Sequence, residues 1–256
     1  MNFCFIDLPK FKRQGQVKLI LGLGLLLGLI VRIVYAYRLP LTNDESFYLY
    51  DGLLLSQGEW PFLTSFSRAP VLLFLNGCLV KIFGRSFLAG RMISILAGLA
   101  SSYFLYLLGK SLFSLRIGII AFLLHTLLAP CVVHTIYLHT QPLEMTFVLA
   151  GVWFVYQYLE SSKRRERFLS FQYLLILAGI FFGLAVLVRE TAAFYPAVMV
   201  CAILFLSSFP FLSKLLHSAI MGVSSLAVWG AVWGFIISQV GWDKVYANFI
   251  ALTTMH

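Results

Sequence analysis

The chain has 256 residues, of which 61% are hydrophobic and 11% are charged, and its mean hydropathy is +0.91. This composition is too apolar for a soluble domain and is typical of a polytopic membrane protein. The net charge of +9 does not indicate nucleic-acid binding, because the basic residues fall in short segments between apolar runs, as topology signals do. The four cysteines are too widely spaced for a disulfide framework or a zinc motif.

Runs of about 18 or more nearly uncharged residues indicate membrane-spanning helices. Seven such runs follow one another along the chain: 18–37, 92–109, 117–133, 142–159, 168–188, 191–212 and 215–239. The first is too long for the apolar part of a signal peptide, so we expect it to be retained as a helix. It contains Arg32, which is expected either to snorkel outward or to pair inside the bundle. The predicted fold class is an all-α, polytopic membrane helical bundle that forms one module over residues 1–256.

A further apolar run, Val71–Phe83, has only 13 residues, which is short for a span and fits a helix in the membrane plane. If it lies in the plane, the segments that hold 11 of the 19 Lys and Arg residues share one face. The positive-inside rule favours this arrangement, with a cytoplasmic N-terminus. The first external loop is then 38–88, with short juxtamembrane helices, and the tail 240–256 is also external.

Asp44 and Glu45 are adjacent acids in the first external loop, in a chain with only ten acidic residues. A carboxylate beside a bilayer is costly to place and can act as a general base or bind a cation. Asp44 can instead cap a short helix within 46–55. Glu45 can orient a neighbour, bind a cation or be solvated.

Three arginines, Arg68, Arg91 and Arg189, are predicted at the external ends of apolar segments. A guanidinium there can bind a lipid phosphate through two hydrogen bonds, or it can snorkel or pair with a nearby acid. The segment between the third and fourth spans adds His134, His139, Gln141 and Glu144. Their spacing matches no established metal motif, so no metal site and no cofactor are predicted, although a divalent cation stays possible.

Several short motifs occur in a fixed order: Asp44-Glu45, Trp60-Pro61, Arg68-Ala-Pro70, Phe83-Gly84, Ala89-Gly-Arg91-Met-Ile-Ser94 and Gly109-Lys-Ser-Leu-Phe113-Ser-Leu-Arg116. Together they resemble the polyprenyl-phosphate-sugar-dependent glycosyltransferases of the GT-C fold. The closest branch contains the protein O-mannosyltransferases and the lipid A aminoarabinose transferases. The resemblance implies a seven-span core, juxtamembrane helices after the first span, and an inverting enzyme with an external active site.

The resemblance also implies roles for individual residues. Asp44 is the base that activates the acceptor, with Glu45 as the second residue of the motif. The donor phosphate is bound by Arg68, Arg91 and Arg189, although relatives usually carry Lys or His at the position of Arg68. Possible acceptor or cation contacts come from Glu144, Gln141 and His139. Gln141 stands where relatives commonly have an acid, so either Glu144, one turn later, substitutes for that acid or the role is missing.

The expected partners are a polyprenyl-phosphate sugar, membrane lipid and an acceptor that is a lipid, a glycan or a protein. The expected location is a bacterial plasma (inner) membrane, with the site on the periplasmic face. Relatives usually continue beyond seven spans, so the chain is a fragment, a minimal enzyme or one that needs a partner. The alternative is a scaffold without catalysis, or a transporter of lipid-linked sugars. The sequence names neither the sugar nor the acceptor.

Overall fold

The computed structural model describes residues 14–61, 69–163 and 172–254, and the regular structure in these ranges is helical throughout. The helices, in chain order, are α1 (Gln14–Arg38), α2 (Asn43–Ser56), α3 (Pro70–Phe83), α4 (Phe87–Leu112), α5 (Leu115–Leu127), α6 (Ala129–His134), α7 (Thr140–Lys163), α8 (Gln172–Val188), a 3₁₀ turn (Glu190–Ala193), α9 (Phe194–Leu206), α10 (Phe211–Val240) and α11 (Trp242–Thr254).

Among the described residues, three helical segments are long and apolar enough to cross a membrane: Gly15–Arg38, Phe87–Leu112 and Phe211–Val240. Four shorter helical segments are also apolar: Pro70–Phe83, Leu115–Leu127, Gln172–Val188 and Glu190–Leu206. The prediction of an all-α membrane helical bundle is therefore confirmed. Each of the seven predicted runs overlaps a helix, whereas seven crossings of the membrane stay a prediction.

The juxtamembrane helices α2 and α3 pack against each other after the first long helix. The Asn76 side chain of α3 donates to the carbonyl of Tyr48 over 2.7 Å, and Gly52 leaves room for that amide, since a Cβ there would meet it. With 14 residues, α3 is about 21 Å long at 1.5 Å per residue. This is shorter than the hydrocarbon core of about 30 Å, but so are the 13-residue helices α5 and α9, so the in-plane placement of α3 stays a prediction.

A capping box at the start of α2 corrects the interpretation that Asp44 caps this helix. The Thr42 hydroxyl accepts from the backbone N–H of Glu45, and the Glu45 carboxylate accepts from that of Thr42. The helix cap is therefore Thr42 and not Asp44. Asp44 lies in the first turn, and its carboxylate does not cap the helix.

Close helix contacts form the core around α8. Buried residues of α7, α8 and α10 meet there, among them Tyr158, Phe182 and Met221. A Cβ on Gly183 would lie 2.6 Å from the carbonyl oxygen of Ser225 in α10. Small residues let membrane helices approach this closely, so α8 and α10 pack with their backbones nearly in contact.

We expect Gly183→Ala to lower the midpoint of thermal unfolding in detergent, because the new methyl group would meet backbone rather than a mobile side chain. Overpacking of this kind costs about 1–3 kcal/mol. Gly222→Ala in α10 is the matched control, since nothing lies within 4 Å of a Cβ there. Equal midpoints for the two variants would contradict the close contact.

Candidate functional site

The adjacent acids of α2 have different surroundings. Glu45 is fully buried and makes an ion pair with Arg91 of α4, which is fully buried too. Two parallel hydrogen bonds of 2.8 Å join them, from Arg91 Nε to Glu45 Oε1 and from Nη2 to Oε2. This bidentate geometry is the strongest that an arginine and a carboxylate can form.

The remaining N–H groups of Arg91 donate to backbone carbonyls in the last turn of α1 and directly after it. Nη1 donates to Ala36 and, over 3.0 Å, to Leu39, while Nη2 donates to Pro40 over 2.9 Å. A guanidinium has five N–H donors, and all five are used within the protein. In this arrangement the buried Arg91 side chain has no N–H group left for a phosphate, so its contacts do not favour the predicted binding of the donor phosphate, which stays a prediction. Arg91 instead fastens α1, α2 and α4 together.

Glu45 stays ionised in this position. Burial alone would raise its pKa, but hydrogen bonds from Arg91 and from the backbone N–H groups of Leu138 and Thr42 lower the pKa below its usual value. A buried carboxylate with a lowered pKa and occupied oxygens is a poor general base. The predicted catalytic role stays a prediction, whereas these contacts favour a positioning role for Glu45. Its bond to Leu138, 2.9 Å long, draws the turn before α7 against the start of α2.

Asp44 faces the other way, into an open cavity of about 330 Å³. Its side chain is 71% exposed, although the next residue is the buried anchor. Seven residues line the cavity: Asp44, Pro130, Val133, His134, Tyr137, His139 and Gln141. The cavity thus brings together three predicted site residues from two separate segments of the chain, namely Asp44, His139 and Gln141.

His139 is a titratable side chain next to Asp44. Its Nδ1 lies 3.9 Å from Asp44 Oδ2, and its backbone N–H donates to the Ser94 hydroxyl over 3.2 Å. Burial lowers the pKa of His139, while the nearby carboxylates of Asp44 and Glu45 oppose that shift. The imidazole is therefore neutral near pH 7 and can donate or accept a hydrogen bond.

Tyr137 connects the cavity to the ion pair beneath it. Its ring lies 5.3 Å from the Arg91 guanidinium carbon and 5.9 Å from the His139 ring. An aromatic face over a guanidinium is an attractive arrangement. The cavity wall therefore rests on the buried ion pair.

Glu144 and Arg189 form a second, more exposed pair. Arg189 Nη1 lies 3.6 Å from Glu144 Oε2, and the Arg189 side chain is 46% exposed against 11% for Glu144. Glu144 therefore faces Arg189, whereas Gln141 lines the cavity. Arg189 keeps enough exposure to reach a ligand.

Tyr48 was missed by the sequence analysis and is close enough to Asp44 and Arg189 to feel the charge of both. Burial, followed by the charge of Asp44, raises the pKa of Tyr48, whereas a hydrogen bond with the Thr140 side chain and the charge of Arg189 act against the rise. The signal was present in the sequence, because positions 44 and 48 are one turn apart on a helix. Tyr48 thus offers a neutral hydroxyl near the base candidate and the exposed arginine.

Two points of the sequence analysis remain, the position of Arg68 and the grouping of metal-ligating side chains. Arg68 lies outside the described residues. Within residues 14–61, 69–163 and 172–254, no three His, Cys, Asp or Glu side chains are grouped as metal ligands would be.

A comparison with protein families gives the chain its place. The family model for dolichyl-phosphate-mannose-protein mannosyltransferase matches residues 67–233, which is more than half of the 256 residues. The match includes His139, Gln141 and Arg189, whereas Asp44 and Glu45 precede it. No curated protein and no solved structure matched the chain. The chain therefore belongs to the dolichyl-phosphate-mannose-protein mannosyltransferase family, a family of membrane glycosyltransferases.

Proposed function

We propose that the chain is an enzyme that transfers a sugar, in the first instance mannose, from a polyprenyl-phosphate donor to an acceptor in the Asp44 cavity. The family supplies the reaction class. The observation that carries the assignment of the site is the contrast between Asp44 and Glu45. One carboxylate is fixed in the core, and it holds its exposed neighbour at a cavity with room for a substrate.

In the proposed reaction, Asp44 accepts the proton of an acceptor hydroxyl or amine as that group attacks the anomeric carbon. A bond forms between the acceptor atom and the anomeric carbon. The bond from that carbon to the phosphate oxygen breaks, and its electron pair leaves with the polyprenyl phosphate. Attack from the side opposite the leaving group inverts the anomeric centre.

Charge develops on the phosphate as the bond breaks, and a cation placed there stabilises it. Arg189 is a described residue that fits this role, because it is half exposed and its contact with the Glu144 carboxylate, at 3.6 Å, is long. Arg68 stays a proposed second phosphate ligand. Tyr48, His139 and Gln141 are placed to hydrogen-bond hydroxyl groups of the sugar or the acceptor.

The proposed site lies on the external face of a bacterial plasma membrane, with the N-terminus in the cytoplasm. This placement follows from the basic segments, which share the opposite face if α3 lies in the membrane plane. It fits a lipid-linked donor, which needs no nucleotide sugar at that face.

The direct test uses the purified chain in nanodiscs with radiolabelled polyprenyl-phosphate mannose and separate lipid, glycan and protein acceptors. Transfer of the label to one acceptor class supports the enzyme and identifies that class. Movement of the labelled lipid across proteoliposomes without transfer would instead support a transporter. If the labelled sugar is neither transferred nor moved across the membrane, the result favours the scaffold alternative.

We expect Arg189→Ala to raise the KM for the labelled donor by about 10- to 100-fold, the usual effect of losing a hydrogen bond to a charged group. The KM of Arg189→Lys should lie between those of the parent chain and Arg189→Ala, because lysine keeps the charge without the planar pair of donors. Arg85→Ala removes an exposed arginine from the turn between α3 and α4 and serves as the control. An unchanged KM in Arg189→Ala would remove this residue from the phosphate site.

A further inference from the structure

Arg32 of α1 is a fully buried charge that the proposed reaction does not use. Its Nε donates to the Thr135 hydroxyl over 2.8 Å. Nη1 donates to the carbonyls of Thr126 (2.7 Å) and Gly28 (3.2 Å), and Nη2 to that of His125 (3.4 Å). The Arg32 guanidinium is therefore hydrogen-bonded inside the bundle and does not snorkel outward.

Two of these carbonyls, those of His125 and Thr126, lie in the last turn of α5. Its last residue is Leu127, and α6 begins at Ala129. In an unbroken helix the carbonyl of Thr126 would accept from residue 130, but Pro130 has no N–H. In an apolar environment every backbone polar group needs a partner. Arg32 supplies the donor that Pro130 lacks.

The break that Arg32 stabilises forms one wall of the cavity. Five of the seven lining residues follow it directly: Pro130, Val133, His134, Tyr137 and His139. Thr135 links Arg32 to this wall, because its hydroxyl accepts from Arg32 and donates to the carbonyl of Cys131 in α6 over 2.8 Å. A side chain of α1 thus contacts the last turn of α5, before α6, and Thr135, directly after α6.

We propose that Arg32 is a positioning residue of the candidate site, which holds the α5–α6 break open so that α6 and the turn after it face Asp44. The expected effect of Arg32 on catalysis rests on the proposed function, whereas its effect on the position of α6 does not. A residue that only stabilised the bundle would be replaceable by any change that restores stability. A residue that sets the direction of α6 would not be.

The test compares four variants of the full chain in nanodiscs: Arg32→Met, Arg32→Lys, the double variant Arg32→Met with Pro130→Ala, and the control Lys18→Met, which removes an exposed charge from α1. The assays are mannose transfer from the labelled donor and thermal unfolding. In parallel, Val133→Cys in a background without other cysteines reports the cavity wall by its rate of thiol labelling, and Phe113→Cys in the exposed α4–α5 turn is the control reporter.

We expect Arg32→Met to lower transfer about 100-fold, the effect of misplacing catalytic groups by roughly an ångström, and to change labelling at Val133→Cys but not at Phe113→Cys. Arg32→Lys should recover part of the transfer. Alanine at position 130 restores an N–H for the Thr126 carbonyl, so the double variant should recover thermal stability. It should not recover transfer, because a continuous helix would carry the wall away from Asp44.

Recovery of transfer together with stability in the double variant would overturn the positioning role, as would unchanged labelling at Val133→Cys in Arg32→Met. If the parent chain shows no transfer with any acceptor, the proposed function fails. The labelling comparison then still decides whether Arg32 positions α6.

Discussion

Asp44→Asn is expected to lower mannose transfer by about 100- to 10,000-fold, the range that a general base contributes. The amide keeps the size of the carboxylate but does not accept a proton at neutral pH. Thermal unfolding should barely change, because the side chain is largely exposed and the helix cap is Thr42. Single-turnover transfer from the labelled donor, with donor in excess of its KM, measures the chemical step directly.

The control for Asp44→Asn is Glu59→Gln, which neutralises another exposed acid of the same external loop. Both variants lose one exposed negative charge of this loop, so an effect of net charge on substrate attraction would appear in both. A turnover of Asp44→Asn close to that of the parent would show that the base is another group.

The second large effect is expected from breaking the buried ion pair. Glu45→Gln leaves the Arg91 guanidinium with no neutralising partner, and loss of one member of a buried pair costs about 3–5 kcal/mol. We expect a lower unfolding midpoint in detergent and faster proteolysis. Transfer should fall as well, because the Leu138 N–H loses a charged acceptor and the turn that carries His139 is released from α2.

The matched control is Glu160→Gln, which breaks the Lys163–Glu160 pair. That pair is as short as the buried one, at 2.7 Å, but is exposed, so solvent already screens it and its loss should change little. Equal effects of Glu45→Gln and Glu160→Gln on the unfolding midpoint would contradict the special role of burial.

The pH dependence of stability follows from the same pair. The pKa of Glu45 is lower in the folded protein than in the unfolded chain. Its stabilising contribution is therefore fully present above the usual carboxyl pKa and is lost as the pH falls through the lowered folded value. Glu45→Gln should flatten this acid limb of the stability curve, which a series of unfolding midpoints between neutral and acidic pH would reveal.

The helices were predictable because apolar runs of sufficient length have few other uses in a chain of this composition. The short helix α3 was also recognisable, since 13 apolar residues are too few for a span. The break between α5 and α6 was not: the run 117–133 appears continuous in hydropathy, and Pro130 marks a break only when the loss of its N–H is considered.

The site was only half accessible from sequence, for a clear physical reason. Asp44 and Glu45 have the same charge, the same neighbours and the same loop, and only the tertiary contact with Arg91 separates them. Likewise, Arg91 and Arg189 both stand near helix ends, but one has all its donors occupied and the other is half exposed. Hydropathy and spacing do not determine how many hydrogen bonds a side chain has already made.

The order of these contacts along the chain has a consequence for biosynthesis. Every acceptor of Arg91 precedes it in sequence: the carbonyls of Ala36, Leu39 and Pro40 and the carboxylate of Glu45. When α4 enters the membrane, its guanidinium therefore finds its partners already synthesised. The hairpin of the first two long helices can neutralise its own charge during insertion, before the ribosome has made the segment that completes the cavity.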